Sequence, residues 1–295
     1  MRIFIVLCGL LFFSACSTES SSTSADTDSA RATARVPDSW IHERVAATRA
    51  TLSASEAGRL VWQAMEAHGG LERWFSNGPI EFAFDYVPRG EGVRRHTVQQ
   101  VNQWNNTARH QEVGAPQAEY GWDGEHAWMT TADTARWAYN TRFWATTPYF
   151  FLGQPFVLAG GGARLEKLPP KTLDGRTYDA VKVTFAPGTG DAPDDYYIAY
   201  FDQETHRQTV IRYIVSYPGY FEKGKHLPEK LMTLHDYTTV DGIVLPTAYK
   251  THWLAANEQP GEHITDIRVG QIRFRPELEK THFELPANST VMQGL

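Results

Sequence analysis

The chain has 295 residues, 42% hydrophobic and 13% aromatic, with a formal charge of −6 and two cysteines, Cys8 and Cys16. A mildly acidic chain without basic runs is a poor nucleic-acid binder. Cys8 lies in an apolar leader, so if that leader is removed and Cys16 is acylated, no free thiol remains for a disulfide, haem attachment or cysteine-ligated metal.

Arg2 precedes an uncharged apolar run, Ile3 to Phe13, and then Ser14-Ala15-Cys16. The run is too short to span a bilayer comfortably, and small residues directly before a cysteine are signal-peptide organisation. "FFSAC" resembles a lipobox, which implies removal of residues 1–15 and acylation of Cys16 with diacylglyceryl and palmitate. Phe13 departs from the usual leucine there, and an ordinary cleaved signal peptide is the other reading. Residues 16–40 open with Ser, Thr and Ala and almost no large apolar side chain, the composition of a flexible tether. A multiply acylated cysteine would anchor the protein without a transmembrane helix. Ser17, where aspartate is associated with inner-membrane retention, resembles an outer-membrane destination facing the periplasm. With no second linker and no long repeat, residues 41–295 are expected to form one domain.

"TLSASEAGRLVWQAMEAHGG" reads as a helix, with Ser53 and Glu56 as a capping box, Ala57, Leu60, Val61, Ala64 and Met65 on one face, and Gly69-Gly70 as the stop. "LERWFS" adds a short turn that places Trp74 and Phe75 in the core. After Pro79 the period becomes two. Ile80, Phe82, Phe84 and Tyr86 point to one buried face, while Glu81, Ala83 and Asp85 point the other way. Val93–Val101 and Trp104–Val113 are expected to be wetter strands. Asp-Gly pairs at 123, 174 and 241 lie between β-prone runs and predict antiparallel hairpins. Crossover helices are missing, which argues against a parallel α/β fold.

Residues 137–162 break the pattern, with eight aromatic residues and Arg142 as the one formal charge. Phe143, Thr147, Phe150 and Phe151 could share a helix face. The segment reads as one or two buried helices sealing an open sheet, or as a lid over an apolar cavity.

The stretch "GDAPDDYYIAYFDQETH" carries five acids and a histidine in residues 190–206. Asp191, Asp194 and Asp195 sit in a Gly/Pro loop and "DQET" interrupts two strands, where Asp and Thr serve as turn formers. Their spacing does not make an EF-hand, so they are weak metal candidates, and His206 reads as a surface residue. No nucleophile elbow, Walker loop, zinc motif or dinucleotide fingerprint is present, and no cofactor is implied.

The helix ending "AHGG" followed by "LERWF", then "GWDGEHAW", the block "YDAVKVTF…GDAPDDYYIAYFDQETHR" and the closing "THFELPANS" together resemble an uncharacterised bacterial lipoprotein family, akin to the LolA/LolB-like lipoprotein-carrier superfamily. The resemblance spans roughly residues 55–292. It implies a mainly β fold, a strongly curved antiparallel sheet forming an unclosed half-barrel, with helices on the concave side and an apolar cavity between. No match to LolA's ligand-gating residues is found, so acyl transfer is not inherited.

The expected function is therefore a membrane-anchored protein that binds an acyl chain or another apolar molecule. The expected lining is Phe82, Phe84 and Tyr86 from the first strand, Trp122 and Trp128, and Arg142, Phe143, Trp144, Phe150, Phe151 and Phe156 from the helical insertion. Arg142 would meet a ligand anion, snorkel, or pair with an acid. The alternatives are an envelope protein-interaction module with a solid interior, and a hydrolase using the Asp191–Asp195 loop and His206; no protein partner is legible.

Overall fold

The computed structural model describes residues 32–130, 136–186, 189, 191–192, 194–217, 220 and 227–292. The leader, Cys16 and most of the expected tether lie outside them. Among the described residues thirteen strands make one antiparallel sheet: β1 (Ile80–Pro88), β2 (Arg95–Asn102), β3 (Thr107–Glu112), β4 (Ala115–Trp122), β5 (Ala127–Met129), β6 (Ala163–Leu173), β7 (Arg176–Phe185), β8 (Tyr197–Asp202), β9 (Gln208–Tyr213), β10 (Lys230–Val240), β11 (Ile243–Leu254), β12 (Pro260–Phe274) and β13 (Thr290–Val291). The spatial order is β13-β5-β4-β3-β2-β1-β12-β11-β10-β9-β8-β7-β6. The sheet does not close: it is the unclosed half-barrel expected from the sequence.

The order explains the path. β1 sits mid-sheet, paired with both β2 and β12. The first five strands meander outward to one side, the aromatic insertion carries the chain to the far edge at β6, and β6 to β12 meander back to β1. Asp174-Gly175 (φ 48° and 77°) and Asp241-Gly242 (φ 46° and 80°) make two-residue hairpin turns with both residues left-handed, as the Asp-Gly signal predicts. At Asp123 the connection is longer, and its carboxylate accepts the Glu125 and His126 backbone N–H groups at 2.8 and 2.6 Å.

The helices are α1 (Asp38–Ser53), α2 (Glu56–Ala67), α3 (Leu71–Ser76), α4 (Thr141–Trp144) and α5 (Thr147–Leu152), followed by a 3₁₀ turn at Phe156–Ala159. α1 was not expected. Only Ile41, Thr48 and Leu52 on it are buried, a stripe too thin to stand out as a 3.6-residue period. The chain ahead of it is also docked: Thr33 bridges to Glu279 and Ala34 is buried. Ser53 therefore ends α1, and the cap of α2 is Ser55, whose hydroxyl accepts the Gly58 N–H at 2.9 Å. Gly58 is required at this corner, because a Cβ there would collide with the Leu52 carbonyl.

One core joins the helices to the inner face, from Ile41, Val61 and Trp74 to Phe82, Val101, Val183 and Ile211. Alternate residues of the later strands, Ala180, Ile198, Tyr200, Val210 and Leu231, form a smaller cluster on the opposite face. β1 is covered on both faces in its first half, unlike the one-sided strand expected. Glu81 is buried there, accepting from Gln100 at 2.7 Å and pairing with Arg273 and Arg275.

Two buried histidines hold the cover down. His68 of the "AHGG" motif donates from Nδ1 to the Val244 carbonyl at 2.7 Å, and its Nε2 accepts the Gln208 N–H at 3.2 Å. Gly69, at φ 114°, lets this turn touch the Gly242 carbonyl, where a Cβ would not fit. His110, stacked on Tyr120 at 4.4 Å, donates from Nε2 to the Ala145 carbonyl between α4 and α5 at 2.7 Å. Burial pushes both imidazoles down to about 4.

The unfolded chain takes up these protons near 6.5 while the fold resists until about 4, so stability falls as pH drops through that window and then levels. A drop of this size corresponds to about 3 kcal/mol per histidine. Urea unfolding between pH 7 and 4 should show this loss. His68→Asn, which keeps a donor toward Val244 and cannot titrate, should have a shallower pH slope; an unchanged slope would contradict the clasp.

Candidate functional site

Between the inner sheet face and α4–α5 lies a cavity of about 420 Å³. Its floor is Phe84 and Tyr86 of β1, Tyr197 of β8, Tyr213 of β9, Met232 of β10 and Ile267 of β12; its roof is Phe143, Trp144, Phe150 and Phe151. The strands supply inward side chains at alternate positions. The start of β8 illustrates this: Tyr197 faces the hollow, while the hydroxyl of Tyr196, just before the strand, donates outward to Glu229 at 2.5 Å. A second depression of about 1150 Å³, outside α1–α3, is wider but walled by His42, Arg49, Glu66, Glu72 and Arg73, a solvated surface. The smaller, aromatic-walled hollow has the character of a small-molecule site, and its volume falls toward the low end of the roughly 300–1,000 Å³ such sites span.

Seven of the eleven expected residues line it: Phe84, Tyr86, Arg142, Phe143, Trp144, Phe150 and Phe151. Four do not, each for a packing reason. Phe82 is fully buried and meets Phe84 edge-on at 6.5 Å. Phe156 stacks on Trp74 with centroids 4.7 Å apart. Trp128 fills the space left by the absent side chain of Gly121. Trp122 lies beneath Arg142, whose guanidinium carbon is 3.5 Å from its ring centre.

Arg142 pairs with an acid, one of the fates open to it. Both arms engage Asp191, Nε to Oδ2 and Nη2 to Oδ1, each at 2.9 Å. This accounts for one member of the acidic loop. Asp195 is buried at the cavity wall and accepts the Ser216 N–H at 2.5 Å and the Tyr197 hydroxyl at 3.4 Å; burial raises its carboxyl above the usual range. It also holds up Lys230, whose amine burial nonetheless pushes down to about 8. Asp194 is exposed, as is His206. Asp202, 2% exposed, accepts Glu204 N–H, Thr205 N–H and Thr205 hydroxyl donors and pairs with Arg176 at 2.6 Å. Burial alone would raise its carboxyl, and these donors outweigh it, leaving it below its ordinary value. Among the described residues no group of three or more His, Cys, Asp or Glu side chains could hold a metal.

Sequence reasoning missed Arg95, Lys230, Tyr197 of β8 and Tyr213 of β9. Arg95 opens a polar-looking strand, and what turns it inward is its pairing directly opposite Tyr86. That register is not visible in β2 alone.

Two solved structures are similar over most of the chain. One is a LolA superfamily protein from Nitrosomonas europaea, with TM-score 0.50, 10% identity, and coverage of 78% of this chain and 97% of that one. The fold is LolA-like. A DUF1329 family protein from Desulfovibrio piger matches with TM-score 0.51 and 12% identity over 77% of this chain and 97% of that one. No family model matches the chain, and no curated protein matches it. The LolA-like half-barrel is thus reached with little sequence in common. No helix among the described residues is long and apolar enough to cross a membrane.

If the acidic loop serves the fold, Asp202→Ala, which strands three donors and Arg176, should cost about 1–3 kcal/mol. Asp194→Ala at its exposed position should stay within about 0.5 kcal/mol. Chemical denaturation checks both; equal effects would contradict the turn assignment.

Proposed function

We propose that this protein is a lipid-anchored lipoprotein of the bacterial envelope, attached through Cys16 to the outer membrane and facing the periplasm, whose LolA-like half-barrel binds an acyl chain or another lipid. One observation carries the reading: an aromatic-walled hollow persists under the helical cover beside a continuous buried core. A chain entering it would gain about 0.8 kcal/mol per buried methylene. The floor is made of strands held in register on both sides and the roof of short helices, so a ligand could enter by moving the roof while the sheet stays fixed.

The apolar composition of the walls suits the body of such a ligand, and the tyrosine hydroxyls and few charges at the margin suit its polar end. One of the half-barrel's two edges, β6, supports this reading over pairing with another protein's strand. β6 carries Pro169 and Pro170 at a register break, and its Lys167 and Lys171 are tied to Glu56 and Glu258. Such features blunt an edge against strand addition.

Protein purified from membranes, extracted with organic solvent and analysed by mass spectrometry, should yield an apolar molecule at close to one per chain. Met232→Trp, which adds an indole to the cavity floor, should lower that yield while the protein stays folded. Absence of any copurifying apolar molecule from the unaltered protein, with Phe150→Ala affecting only stability, would overturn the proposal. Cys16→Ser should move the protein from the membrane fraction to the soluble fraction, and its retention in membranes would contradict the anchor.

A further inference from the structure

Among the described residues three cations border the hollow, and they differ in what offsets their charge. Arg142 has both arms on Asp191, and Lys230 lies beside Asp195. Arg95 has neither arrangement. Its guanidinium carbon stands 4.3 Å from the ring centre of Trp144, 4.7 Å from Tyr86 and 5.2 Å from Tyr139, and no described residue accepts a hydrogen bond or forms an ion pair with it. Its enclosed Nε has no hydrogen-bond partner among the described residues.

Aromatic stacking occupies the faces of a guanidinium and leaves unused the N–H donors, which lie in its plane. A cation kept half out of water with its donors unmatched is costly unless an anion completes it. The cage is also braced: the Tyr86 hydroxyl accepts from Thr265 at 3.2 Å, and Trp144 donates from its indole to the Tyr220 hydroxyl at 2.8 Å. The cage is therefore a preformed seat whose empty positions are hydrogen-bond donors pointing along the guanidinium plane.

We propose that Arg95 is the head-group site of the cavity, and that the ligand is a single-chain amphiphile with an anionic head, a carboxylate or a phosphate monoester. This rests on the reading of the hollow as a lipid site. The remaining walls, with Phe151, Met232 and Ile267, would take the chain. A volume of about 420 Å³, toward the low end of the range of small-molecule sites, suits a single chain.

The test is calorimetric titration of the full, delipidated protein with dodecanoate, dodecyl phosphate and dodecanol below their aggregation limits. The two anions should bind at least about tenfold more tightly than the alcohol, as a charge-assisted hydrogen bond implies. Which anion binds better identifies the head group, and either supports the site. Arg95→Gln should reduce both anions to the level of dodecanol, while Arg95→Lys should keep part of the preference. Equal binding of dodecanol and dodecanoate, or a preference that survives Arg95→Gln, would overturn the head-group assignment and leave the apolar site standing. Failure of all three probes to bind would overturn both. Should Arg95→Gln not fold, the preference of the unaltered protein and the behaviour of Arg95→Lys decide the matter.

Discussion

The structure depends on how the helices are held to the sheet. A large open antiparallel sheet has one curved inner face that its own side chains cannot fill, so the face needs a cover, and the cover needs fixed points. His68 and His110 provide two: each is buried, neutral, and bonded to a backbone carbonyl on the far side of the helix–sheet gap. Around His68, Trp74 and Phe156 stack in a dense layer. His110 ties down the junction of α4 and α5, the roof segment over the hollow. Tight packing at the fixed points and a hollow beside them follow from the same constraint, since short helices tied at their ends cannot follow the full curvature of the sheet.

Much of this was legible in the sequence, and the misses have a common physical origin. The left-handed Asp-Gly turns and the glycine stop after α2 are local signals, encoded in adjacent residues and realised as read, whereas the period-two run of β1 marked the strand but not the cover on its second face. α1 is held by a few contacts along one narrow stripe, so its pattern was too sparse to detect, and its omission displaced the cap from Ser55 to Ser53. Arg95 and Glu81 show the stronger limit. Each looks like a solvent-facing charge on its own strand, and each is turned to another environment by register with a distant one, Tyr86 in one case and the Arg273–Arg275 strand end in the other. The aromatic insertion gave composition without period. That was enough to predict a buried cover and not enough to tell Phe150, at the hollow, from Phe156, in the solid core.

The acidic segment around residue 200 is explained by the same division between inside and outside. Asp202 organises a turn, Asp191 neutralises Arg142, and Asp195 stands at the cavity wall near Lys230. On the opposite face Glu229, Arg212 and Glu258 form a charged network, with Arg212 bonded to Glu258 at 2.8 Å. The outer charged network stands apart from the hollow, which has charges of its own beside its aromatic rings: Arg142 with Asp191, and Lys230 beside Asp195.

The most direct test is an experimental structure of the protein purified from its own membranes without an added ligand. The account predicts continuous elongated density in the hollow, running from Arg95 between Tyr86 and Trp144 toward Met232 and Ile267. A hollow closed by inward movement of Trp144 and Phe150, with side chains where that density should lie, would contradict it.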